Sequence, residues 1–185
     1  MRHVRALSLA PVAAALALAA AACAPVFAGL SPAFAPVDRA VLPPTVYLAV
    51  VSVPLIVRDC ATLRLPNILV LPGYGIAGLG AAWQAAFEPP WVPLAAFGIT
   101  VAVFLGFRML GVVGMGDVKL AGLLSATLGL LPAGRVPFVF VTAALASVTL
   151  AGLTALVVLA ASRSRVIPFG PHLLVGFWVA LLWAR

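Results

Sequence analysis

Seven stretches of this chain carry no Asp, Glu, Lys or Arg: residues 6–37, 40–57, 65–87, 89–107, 120–134, 136–162 and 166–184. A helix needs roughly 20 apolar residues to cross the ~30 Å hydrocarbon core of a bilayer. Most of the stretches suffice for one crossing, and none comfortably fits two. The 120–134 stretch reaches that length only by taking in residues 116–119. The apolar/polar alternation that a transmembrane barrel requires is absent, so the spans read as helices that satisfy their own backbone groups. Only 8% of the 185 residues are charged and 65% are hydrophobic, too little charge to cover a water-facing surface. The expected fold is all-α. It is a polytopic membrane helix bundle with the lipid bilayer as its solvent, a six-helix unit over 41–185 preceded by a hydrophobic segment over 1–36.

The formal net charge is +7, but the eleven basic residues are spread over short connections and form no patch. That distribution argues against nucleic acid as a partner. It reads instead as a set of topology signals, since basic residues stay on the cytoplasmic side. With a cytoplasmic N-terminus and one crossing per stretch, the cytoplasmic segments hold Arg2, Arg5, Arg58, Arg64, Arg108, Lys119, Arg163 and Arg165. The outer segments hold Arg39, Arg135 and Arg185, a bias of eight against three. Two crossings, 65–87 and 89–107, separate Asp59 from Asp117, and an even number returns the chain to the side it left. Both aspartates therefore face the cytoplasm, with Asp38 and Glu88 outside.

The first segment reads as a retained transmembrane helix, as a cleaved signal peptide with Ala-rich cleavage options before Pro36, or as a lipidated segment. Cys23 follows Ala20-Ala21-Ala22 and lacks the large aliphatic residue that a lipidation site places three before its cysteine. Cys23 and Cys60 cannot easily meet, so no disulfide is expected. No Cys-x-x-Cys pair is present to suggest a zinc site. The sequence has no phosphate loop, dinucleotide glycine fingerprint or nucleophile elbow. Glu88-Pro89-Pro90 and Leu131-Pro132-Ala133-Gly134 read as turns between helices.

Only four acidic residues occur, and a carboxylate at a membrane boundary is costly and usually functional. Taken alone, Asp117 reads as a helix N-cap and Asp59, between Arg58 and Arg64, as a surface ion pair or a helix-end residue. The glycines before Asp117, Gly114 and Gly116, allow close approach of backbone, as a bound extended peptide would need. Lys119 lies about 200° round the helix from Asp117, so it reads as a side chain reaching toward the headgroups. Pro66 suits the first turn of a new helix, with Asn67 as its cap or, less simply, as a group that bonds a substrate. His172 reads as a hydrogen-bonded bundle residue. Trp83, Trp91, Trp178 and Trp183 read as an interfacial belt. Two carboxylates at one membrane level are able to share a proton, which is the chemistry of an aspartic protease.

Three motifs taken together resemble a known family. Asp59-Cys60-Ala61-Thr62-Leu63-Arg64-Leu65-Pro66-Asn67 is similar to the first signature of type IV prepilin peptidases, and Gly114-Met115-Gly116-Asp117-Val118-Lys119-Leu120 to the second, Gly-x-Gly-Asp-x-Lys. Ile167-Pro168-Phe169-Gly170-Pro171 resembles the Pro/Gly motif before their final helix. The resemblance spans residues 41–185. It implies a membrane aspartic endopeptidase that removes the basic leader of prepilins at the cytoplasmic face of the bacterial inner membrane. It further implies Asp59 and Asp117 as the catalytic pair, Gly114, Gly116, Lys119, Pro66 and Asn67 as the supporting motif, and no cofactor or metal. Cys60 and Ala61 replace the more polar residues expected after the first aspartate. The chain resembles the short form associated with tight-adherence (Flp-type) pili, without the paired Cys-x-x-Cys domain of the methylating members. The alternative is a non-enzymatic membrane protein, a small transporter or assembly scaffold. Transporters place their charges nearer the midplane.

Overall fold

A computed structural model describes residues 39–161 and 168–183, with backbone alone over 152–161. The described residues form six helices and no strand: α1 (Leu42–Thr62), α2 (Asn67–Gln84), α3 (Trp91–Met109), α4 (Met115–Leu128), α5 (Val136–Ala161) and α6 (Gly170–Trp183). The fold is thus the expected all-α bundle. The 1–36 segment and Cys23 lie outside the described residues. Among the described residues, two helices, α1 and α3, are long and apolar enough to cross a membrane.

Apolar side chains cover both the inside and the outside of the bundle, because lipid solvates the outer ones. Pro93 is the one buried residue of α3, while Leu94 and Ile99 of that helix point outward. The centre belongs to α4. This helix packs against α2, α3, α5 and α6 and buries Val118, Leu120, Ala121, Leu123, Leu124 and Leu128. At 14 residues it is about 21 Å long, shorter than the hydrocarbon core. The chain then turns through Gly129, Leu130 and Leu131, the two leucines remaining buried. The Glu88-Pro89-Pro90 and Leu131–Gly134 segments are connections between helices, as read.

Helix ends differ from the charge boundaries. Arg58, Asp59 and Cys60 belong to the last turns of α1 and not to a loop. The helix is stopped by backbone geometry. Leu63 takes a left-handed conformation, φ 53° and ψ 31°, and its N–H donates to the Asp59 carbonyl. Pro66 then keeps Leu65 out of the helical region. Two tyrosines tie the bundle together. Tyr47 Oη of α1 donates to the Leu69 carbonyl at 2.9 Å, and Tyr74 Oη of α2 donates to the Lys119 carbonyl at 2.6 Å.

The tryptophan belt needs one correction. Trp83, Trp91 and Trp183 are exposed, and all three lie at the same end of the bundle by the alternation of helix directions. Trp178 is fully buried, and its Nε1 donates to Ser52 Oγ at 3.2 Å. A tryptophan whose N–H finds an internal partner is a core residue. His172 is a bundle residue as expected, with Nδ1 3.0 Å from the Pro168 carbonyl oxygen.

Candidate active site

The end of α1, the 63–66 turn and the start of α4 enclose a cleft of about 320 Å³. Asp59, Leu63, Arg64, Leu65 and Asn67 line one side, and Gly114, Met115, Gly116, Asp117 and Lys119 the other. Two of the four acidic residues therefore meet in one cleft, close enough for their charges to interact. Glu88 sits at the opposite end of the bundle, where Gln84 Nε2 donates to it at 3.2 Å.

Each carboxylate is held by a backbone amide. Asp59 is only 4% exposed, and its Oδ2 accepts the Gly170 N–H at 3.0 Å. The surface ion-pair reading fails because α6 begins directly against this carboxylate and covers it. Asp117 is the third residue of α4, not its N-cap, and Gly114 occupies the cap position. Its Oδ2 accepts the Gly114 N–H at 3.1 Å, closing half of a capping box. In both cases one oxygen is tied to the positive end of a helix.

Two supporting residues behave differently from expectation. Asn67 does not cap α2. Pro66 holds that position without a side-chain cap bond, and Asn67 Oδ1 instead accepts from Lys119 Nζ at 3.0 Å. Lys119 therefore has a partner within the bundle. Its long stem carries the ammonium from α4 across to the start of α2, a reach that helical angle alone does not reveal. The neighbour that Gly116 admits is Leu65 of this same chain: a Cβ at position 116 would lie 3.0 Å from Leu65 Cβ. Leu65 thus packs between the two signature motifs. Leu65, Tyr74 and Gly170 had no role in the sequence reading, although Leu65 and Gly170 stand inside the quoted motifs. No feature of Tyr74 in the sequence signals its bond to the Lys119 carbonyl.

The profile of the type IV leader peptidase family matches residues 46–159, a range that includes both aspartates and the cleft between them. The chain belongs to the type IV leader peptidase family. It is a peptidase of the leader-removing type, in a family of membrane proteins with prepilins as substrates. No curated protein and no solved structure matches it significantly. The leader peptidase match stops before α6, so the helix that covers Asp59 lies beyond the matched range.

Proposed function

We propose that this leader peptidase is an aspartic endopeptidase of the bacterial inner membrane, with Asp59 and Asp117 as its catalytic pair. Residues 41–185 form the peptidase unit, and 1–36 an additional hydrophobic segment. It removes the basic leader of Flp-like prepilins at the cytoplasmic face and does not methylate the product. The observation that carries the reading is the convergence of Asp59 and Asp117, 58 positions apart by subtraction of their numbers (117 − 59), on one cleft at one end of the bundle.

Two close carboxylates do not readily ionise together, so the pair holds one proton. The ionised member takes a proton from a water molecule as the water oxygen attacks the scissile carbonyl carbon. The protonated member hydrogen-bonds the carbonyl oxygen as charge develops there. Collapse of the tetrahedral intermediate breaks the C–N bond, and the leaving nitrogen takes a proton from the pair. The titration belongs to the pair, so acid and base are not assigned separately. The substrate is a membrane helix, and its scissile segment must open to an extended form to enter the cleft.

Asp59→Asn and Asp117→Asn are each expected to abolish leader cleavage while the protein still inserts. Co-expression with a type IV prepilin and a gel-mobility readout of leader loss checks this. Near-wild-type cleavage by either variant would refute the pair.

A further inference from the structure

The Asp59 carboxylate is held from across the bundle. The N–H that reaches its Oδ2 at 3.0 Å belongs to Gly170, 111 residues later in the chain. Gly170 opens α6, where first-turn amides have no partner inside the helix and the helix presents its positive end. A Cβ at position 170 would lie 2.7 Å from Asp59 Oδ2 and 3.2 Å from its Cγ. Any other residue would displace the carboxylate or the start of the helix. The register that joins the two is set deeper in the bundle, where Trp178 Nε1 donates to Ser52 Oγ. Ser52 precedes Asp59 by about 10 Å along α1, and Trp178 follows Gly170 by about 12 Å along α6. The helices run antiparallel, so one bond constrains the other.

We propose that Gly170 is a positioning residue for Asp59, fixing the carboxylate by its amide and by its lack of a side chain. The inference rests on Asp59 and Asp117 being the catalytic pair, and it adds a third element to the site. Among the described residues, the charged and titratable groups that share the cleft with Asp59 or adjoin it in the chain are Asp117 and Lys119 of α4, Arg64 of the 63–66 turn, and Arg58 and Cys60 of α1, with His172 two residues beyond Gly170 on α6. None of them replaces the Gly170 amide on Oδ2.

The test uses the full-length protein in detergent with a purified type IV prepilin, assayed over a range of pH. Gly170→Ala is expected to lower kcat by about tenfold or more, leave KM unchanged and displace the pH–rate profile. Gly98→Ala, on the outer face of α3 with open space around it, is expected to match the wild type. Replacing Gly170 by glycolic acid in cell-free translation exchanges the N–H for oxygen and adds no bulk. It is expected to show the same loss, and it serves if Gly170→Ala does not fold. Wild-type kcat and pH profile in either folded variant would overturn the positioning role. So would a loss that appears in KM with the pH profile unmoved. Asp59→Asn and Asp117→Asn run in parallel. If they are inactive, such a result removes Gly170 alone, whereas if either is active, the catalytic pair itself is refuted.

Discussion

The Lys119 ammonium donates to Asn67 Oδ1 at 3.0 Å and so joins the N-terminal parts of α4 and α2 at the lip of the cleft. A charge-assisted hydrogen bond of this kind contributes more than a neutral one, and less where water competes. Asn67 is exposed and Lys119 half-buried, so a loss of about 1 kcal/mol is expected, roughly a fivefold fall in kcat/KM. Lys119→Met and Asn67→Ala should each show it. Because they remove the same interaction, the double variant should be no worse than either single one. Steady-state kinetics on all three forms check this. The pairing was not legible beforehand, because angular position on a helix ignores the length of the lysine stem.

Helix α6 meets α1 at two heights, through Gly170 on Asp59 and Trp178 on Ser52. Ser52 Oγ also donates to the Leu48 carbonyl at 2.6 Å, so the hydroxyl both gives and receives a bond in a site closed to solvent. Ser52→Ala leaves the indole N–H without a partner in the interior, at a cost of about 1–3 kcal/mol. Trp178→Phe removes the donor and costs indole packing as well. Thermal unfolding in detergent should show a lower Tm for both single variants. The double variant should lose less than the sum of the two, because the shared bond is counted once. At this scale the charge-free stretches located the helices but misplaced their ends. Asp59 is the helix-end residue that its place after 40–57 suggests, but the charge-free stretch stops at residue 57 and the helix runs on to Thr62. A left-handed Leu63 and the following Pro66 end α1 instead, and α6 provides the cover that lets a carboxylate stay in the last turn.

Across the whole molecule, the alternation of helix directions puts both aspartates at one end and Trp83, Trp91 and Trp183 at the other. The proposed function puts the aspartate end in the cytoplasm, the side that the basic bias favours. Thr62→Cys, Val112→Cys and Phe87→Cys, in a background lacking Cys23 and Cys60, test this directly. An impermeant thiol reagent applied to intact cells should label position 87 and spare 62 and 112. Labelling of 62 or 112 from outside would reverse the orientation. The described connections between helices are short, at residues 63–66, 85–90, 110–114 and 129–135, which leaves no room in them for a methyl-donor domain. On the proposed reading as a peptidase that cleaves without methylating, pilin processed by this protein alone is expected to keep a free N-terminal amine. Intact-mass measurement reads this, and an added methyl mass without another methyltransferase would contradict it.

The order of apolar stretches, the parity that sends Asp59 and Asp117 to one side, and the three motifs were all readable in the chain. They depend on hydrophobicity and spacing, which are properties of residues taken in order. The tertiary structure alone decided what each polar group bonds to. It turned Trp178 inward to Ser52, drew Lys119 to Asn67, packed Leu65 against Gly116 and set the Gly170 amide on Asp59. Each of these contacts joins residues far apart in the chain, at distances fixed by how α1, α2, α4 and α6 pack. A hydrogen bond is made or lost within a fraction of an ångström, a precision that the register of packed helices supplies and a linear pattern does not contain.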